Sequence, residues 1–129
     1  MKQGIIYSIS CPIHKNIFYV GQTMNLEKRI KYYFHEVSPK STPAELYVKK
    51  INEAGNKPVF TIHTKCEKSE LHMHEYGLIK ECINKGLLLL NWKGNNRDNY
   101  NSAREFYLGI SVPEINNKID IVDLTAIAS

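Results

Sequence analysis

The sequence has no long apolar run, few cysteines and no repeated or low-complexity tract. No window reaches the ~18 apolar residues that a bilayer-spanning helix needs, and residues 86–90, GLLLL, stop far short. The start, MKQGIIYSIS, has one lysine, a broken apolar run and no small-residue cleavage site. A secretory signal is therefore not expected, and the expectation is a cytoplasmic protein with no membrane partner. The three cysteines, Cys11, Cys66 and Cys82, are odd in number and irregular in spacing, which excludes a disulfide framework. No zinc finger, helix-turn-helix or long basic arm is legible. What is present is ordinary: 129 residues, 43% hydrophobic and 23% charged, enough for one domain with a normal core.

Charge is uneven along the chain. Residues 1–60 carry nine Lys/Arg against four Asp/Glu, whereas residues 61–129 carry eight against nine. A basic first half suits a polyanion such as nucleic acid, although lysines on solvated helix faces give the same count.

The coarse order is β-β-α-α-β-α. IIYSIS (5–10) and IFYV (17–20) are β-rich runs around the turn CPIHKN, which predicts a hairpin. Asn25 predicts a helix N-cap, with Leu26, Ile30, Tyr33 and Phe34 at helical spacing. Pro43 fits a first helical position, and that helix ends at Gly55. PVFTIHT (58–64) predicts a strand, and residues 69–85 a strong helix stopped by Gly86. Leu87–Asn91 reads as a short extended piece. The following WKGNNRDNYN is turn-rich, with one or two helical turns at 103–108 and a tail of no clean period. This predicts an α/β fold: a small antiparallel three-stranded sheet flanked by helices over residues 1–94, with residues 95–129 as an extension of unassigned role.

Two charged residues stand where apolar ones belong. Glu75 shares the stripe of Leu71, Leu78, Ile79 and Cys82, and a carboxylate there needs a partner, a proton or a metal unless it reaches water at the stripe's edge. Arg29 lies three after Leu26 and four before Tyr33, so Arg29 and Tyr33 share a face bordering the buried side. Arginine is suited to two-pronged phosphate binding; a structural ion pair, with Glu75 as one candidate partner, is the alternative. Tyr7 and Tyr19 are ordinary β-formers unless their hydroxyls converge with these two. A zinc site from Cys11 and His14, at C-x₂-H spacing, with Cys66 and His72 is a weaker rival, because the spacing matches no four-ligand pattern.

Taken together these positions resemble the GIY-YIG endonuclease superfamily. The first motif reads Gly4-Ile5-Ile6-Tyr7, and the second reads Tyr19-Val20-Gly21, followed by Gln22 and Thr23. Arg29 follows Gly21 by eight, Tyr33 holds the next position, which family members fill with His or Tyr, and Glu75 opens EYGLIKE in the third helix. Asn91 matches the closing Asn. The resemblance spans about residues 4–92. It departs from the pattern at the extra Ile, which puts Gly4 one residue out of register with Tyr7, and at Gln22, where some members carry Lys. His35, two past Tyr33, stands as a substitute for it or as an incidental residue.

The resemblance implies hydrolysis of a DNA phosphodiester with one divalent ion, Mg²⁺ or Mn²⁺, held by Glu75. Arg29 would hold the scissile phosphate and Tyr7 would take the proton from the attacking water. Tyr19 and Tyr33 would position water or phosphate, and Asn91 would brace the site. Tyr33 and His35 remain rival bases. A homodimer through the tail, which double-strand cleavage would favour, and a catalytically weak DNA-binding or interaction module on the same fold both remain open.

Overall fold

The computed structural model describes residues 3–34, 41–118 and 120–127. The elements in chain order are β1 (Gly4–Ser10), β2 (Ile17–Thr23), α1 (Leu26–Tyr32), α2 (Pro43–Glu53), β3 (Val59–Cys66), α3 (Leu71–Asn84), α4 (Arg97–Gly109), β4 (Asp120–Asp123) and α5 (Leu124–Ile127), with a single 3₁₀ turn at Lys68–Glu70 leading into α3. The helix starts follow from local chemistry. Asn25 accepts from the Lys28 amide to cap α1, and Thr42 and Glu45 form a reciprocal capping box with Pro43 in the first turn of α2. Gly55 and Gly86, at φ +87° and +83°, take the left-handed turns that end α2 and α3.

The sheet has four strands, ordered β2-β1-β3-β4, not the three that the sequence predicts. The hairpin and β3 pair antiparallel as expected, and β4 adds parallel to β3. A four-residue strand reading DIVD offers too short an alternation to be seen in sequence. It is placed by asparagines. The buried Asn56 side chain takes the amides of Ile115 and Asn116 and donates to the Pro113 carbonyl, and Asn117 brackets both backbone groups of Lys57.

Helices cover both sheet faces. On one face Tyr7, Ile9, Phe18 and Phe60 pack with Leu26 and Ile30 of α1, Tyr47 and Val48 of α2, and Ala103 and Tyr107 of α4. On the other, Ile6, Val20 and Cys66 meet Leu71, Ile79 and Cys82 of α3. Two register shifts sort the side chains. One leaves Phe18 unpaired between Ile17 and Tyr19, so Phe18 and Tyr19 project to the same face. The other leaves His63 unpaired, so Phe60 and Ile62 face one layer and Cys66 the other. The unpaired His63 reaches Ser8 Oγ at 2.8 Å.

Two local expectations are corrected. α1 ends at Tyr32, and Phe34, expected on its apolar side, is half out in solvent with the Lys57 ammonium 5.2 Å from its ring centroid. The helix expected at 103–108 runs from Arg97, because Asn96 caps it by accepting from the Asn99 amide.

Candidate active site

Tyr7 lies in the middle of β1, directly opposite Gly21 of β2. Its ring leaves no room for a side chain there: a Cβ on Gly21 would sit 2.5 Å from Tyr7 Cζ and Oη. This is the physical reason for glycine in Tyr19-Val20-Gly21. Gly4 has a different neighbour. It lies three residues before Tyr7 and so on the opposite face, where a Cβ would meet Leu71 at 2.5 Å. The extra Ile therefore makes Gly4 a packing residue against α3.

One cavity of about 450 Å³ gathers Tyr7, Tyr19, Arg29, Glu75 and Asn91. It draws Tyr7 and Tyr19 from one sheet face, and Glu75 from α3 on the other. Tyr33 joins through its hydroxyl, 3.3 Å from that of Tyr7. His35 lies outside the described residues. A larger cavity of about 630 Å³, lined by Cys11, Lys15, Val59 and Lys118 among others, contains none of these residues.

Asn91 is a brace. Its Oδ1 accepts from the Val20 amide at 2.9 Å and its Nδ2 donates to the Val20 carbonyl at 2.7 Å. Val20 sits between Tyr19 and Gly21 on an edge strand, so one side chain satisfies both outward backbone groups and fixes the strand that carries the site. The Leu90 amide does the same for the Phe18 carbonyl. The run 87–91 is held in turn from behind: Asn99 binds Leu87 and Leu89, and Asn95 binds Leu89, Asn91 and Asn99. The turn-rich stretch is thus an asparagine lattice.

Electrostatics divide the tyrosines from the charges. Burial raises the Tyr7 hydroxyl well above the usual tyrosine range, and Tyr19 adds to the rise. The Tyr33 hydrogen bond and the Arg29 charge oppose it without prevailing. Tyr33 is raised further, by burial and then by Tyr7 and Tyr19. The shared hydrogen bond favours the phenolate on Tyr7 and disfavours it on Tyr33, which fits Tyr33 as donor and Tyr7 as the first of the pair to ionise. Tyr19 is also raised, by burial and then by Glu75. Burial lifts the Glu75 carboxyl above the ordinary glutamate value, while Gln22, His72 and Lys93 pull it back in part.

Arg29 is half-buried, and among the described residues it forms no ion pair. The structural Arg29–Glu75 pair is therefore not made. The guanidinium lines the cavity and lies 5.8 Å from the Tyr32 ring centroid. The zinc alternative also fails among the described residues, where no three His, Cys, Asp or Glu converge. Cys11 instead accepts from Tyr47, and Cys66 lies in the core beneath α3. A lone carboxylate in an open cavity does suit Mg²⁺, which keeps several waters and uses one or two carboxylates plus substrate phosphate.

Sequence reasoning missed Trp92, Lys93 and Tyr100 in the same cavity lining. The signal available was an aromatic residue directly after Asn91 in an otherwise polar run.

The model of the GIY-YIG catalytic domain matches residues 3–84, and the chain belongs to that family, whose members are nucleases acting on DNA. The match contains Tyr7, Tyr19, Arg29, Tyr33 and Glu75 and ends before Asn91. Comparison with curated proteins and with solved structures returns no match. Among the described residues no helix is long and apolar enough to cross a membrane.

Proposed function

We propose that the protein is an endonuclease that hydrolyses DNA phosphodiesters with one divalent cation, Mg²⁺ or Mn²⁺, held by Glu75. The observation that carries this reading is the convergence of Tyr7, Arg29 and Glu75 on one cavity, with the arginine left without a carboxylate partner among the described residues. A guanidinium facing a cavity, with no carboxylate partner among the described residues, is poised for an anion. Its planar fork matches two non-bridging phosphate oxygens, and it stabilises the negative charge that grows there in the transition state. Tyr7, as the phenolate, accepts the proton of the attacking water at Oη and becomes the neutral phenol, and Tyr33 Oη–H donates to that phenolate before the transfer. Asn91 holds Tyr19 and Gly21 in place through Val20. When bound at Glu75, the cation stabilises the negative charge of the departing 3′ oxygen. Because burial keeps Tyr7 protonated at neutral pH, the reactive phenolate is a minor species that grows with pH.

Glu75→Gln tests the reading with two readouts. Cleavage of supercoiled plasmid in Mg²⁺ should vanish, because a neutral amide is a poor ligand for a hard cation. Thermal stability should rise at neutral pH, because the variant removes a charge that burial disfavours. The raised carboxyl binds its proton more tightly folded than unfolded, so wild-type stability is greatest below the unfolded value and falls as pH climbs between the two. Wild-type cleavage by Glu75→Gln would show that Glu75 is structural.

A further inference from the structure

The reaction just described leaves unused the most exposed large apolar side chain among the described residues. Trp92 is 66% exposed, yet it lines the cavity that holds Tyr7, Arg29 and Glu75. It is also held firmly. The preceding Asn91 is bonded to Val20 through its side chain, and its carbonyl accepts from Asn95 Nδ2 at 3.0 Å. The indole meets Tyr100 edge-on, with centroids 4.9 Å apart and planes at 71°. The Arg104 guanidinium lies 5.7 Å from the centroid of the Tyr100 ring. One rim of the cavity therefore carries the indole of Trp92 and the phenol of Tyr100, with the Arg104 guanidinium behind Tyr100 and outside the lining.

Charge does not explain this rim. α4 carries Arg97 and Arg104 against Asp98 and Glu105, so it is close to neutral. What the rim offers is π surface, already paid for in conformational entropy, beside a site for phosphate. A nucleobase is the part of DNA that matches it, and base–aromatic stacking is insensitive to sequence. In a paired duplex both faces of each base are covered by neighbours, so an indole can stack only on a base that is out of the helix.

We propose that Trp92, backed by Tyr100 and Arg104, is a stacking platform for an unpaired base next to the scissile phosphate. The preferred substrate is then DNA that is single-stranded or unpaired at the cut, such as a flap or a branch, rather than continuous duplex. The proposal rests on the nuclease reading above and adds its substrate class.

Trp92 is the only tryptophan in the chain, so its fluorescence reports directly on the platform. Wild-type protein is titrated with a short single strand and with a blunt duplex of the same sequence, in EDTA to prevent cleavage. The single strand should quench the emission saturably, and the duplex should quench it little. Trp92→Ala, followed by anisotropy of labelled DNA, should weaken single-strand binding about five- to a hundredfold, with duplex binding changed less than about twofold. Trp92→Phe should recover most of the loss. Equal quenching by both DNAs, or equal weakening on both, would overturn the platform and leave Trp92 as a cover for Tyr100. Should Trp92→Ala fail to fold, the wild-type quenching and Trp92→Phe still decide. The two readings fail separately. Wild-type quenching without any cleavage in Mg²⁺ sinks the nuclease and keeps the platform, and cleavage without quenching does the reverse.

Discussion

Gly21→Ala places one methyl group where the Tyr7 ring already lies. The added Cβ would sit 2.5 Å from Tyr7 Cζ and Oη, against ~3.4 Å for ordinary contact, so something must move by ~0.9 Å. Away from the cavity the ring has no free direction. It is 1% exposed, packs against Phe60, and shares its hydroxyl with Tyr33. Gly21 has little room either, because the neighbouring Val20 is clamped by Asn91. Overpacking of this kind costs about 1–3 kcal/mol. For a chain of 129 residues that corresponds to a melting temperature lower by about 4–11 °C. A shift of about an ångström in a reacting group is also sufficient for a loss of about a hundredfold in rate. Calorimetry and single-turnover cleavage read the two effects. Gly77→Ala is the control: it lies inside α3 with nothing within 4 Å of a Cβ. That change should raise the melting temperature by about 2–4 °C through helix propensity. If Gly21→Ala melts and cleaves like wild type, the contact between Tyr7 and Gly21 is not the constraint described.

Arg29→Lys should lose about a hundredfold or more in cleavage while folding normally, because a point charge cannot make the two-pronged phosphate contact; near-normal rates would reduce Arg29 to a counter-ion. Tyr7→Phe should lose about a hundred- to ten-thousandfold in single-turnover rate, and Tyr33→Phe less, because only the phenolate's donor is removed. The wild-type rate should climb with pH into the alkaline range, since burial raises the Tyr7 hydroxyl and the phenolate is scarce at neutral pH. A rate that plateaus near pH 7 would move the base to another group. DNA binding should weaken steeply with salt, because the basic first 60 residues release counterions from phosphates; a flat dependence between low and physiological salt would remove that face from the interface.

The parts of the fold that repeat a periodic pattern were readable in the sequence. The hairpin, α2 and α3 announce themselves by β-rich runs, a proline start and glycine stops. Arg29 and Glu75 stood out because each breaks an apolar pattern, and the cavity explains both breaks. What could not be read depends on tertiary hydrogen bonding. β4 is four residues long, and α4 begins in a run of asparagines that propensity assigns to turns. Those asparagines are spent on the backbone of residues 87–91, a use that only the fold reveals. The electrostatic balance was also hidden. The family resemblance implies Arg29 and Tyr7 in one site, but the depth of the ring, which outweighs the cation, comes from α1 and Phe60 closing over β1.

Val20 joins the motion of distant parts of the chain. Its amide is bonded to Asn91, whose carbonyl is bonded to Asn95, and Asn95 to Asn99 in the first turn of α4. To expose that amide to solvent, the edge of β2 must let go of residues 90–91, and these are anchored by the start of α4. Amide exchange at Val20 and at the first turns of α4 should therefore follow a common opening event, slower than that of the neighbouring turn at residues 12–16. The family's matched segment ends at residue 84, but the cooperative unit that keeps Tyr19 and Gly21 in place reaches at least fifteen residues beyond it, to Asn99.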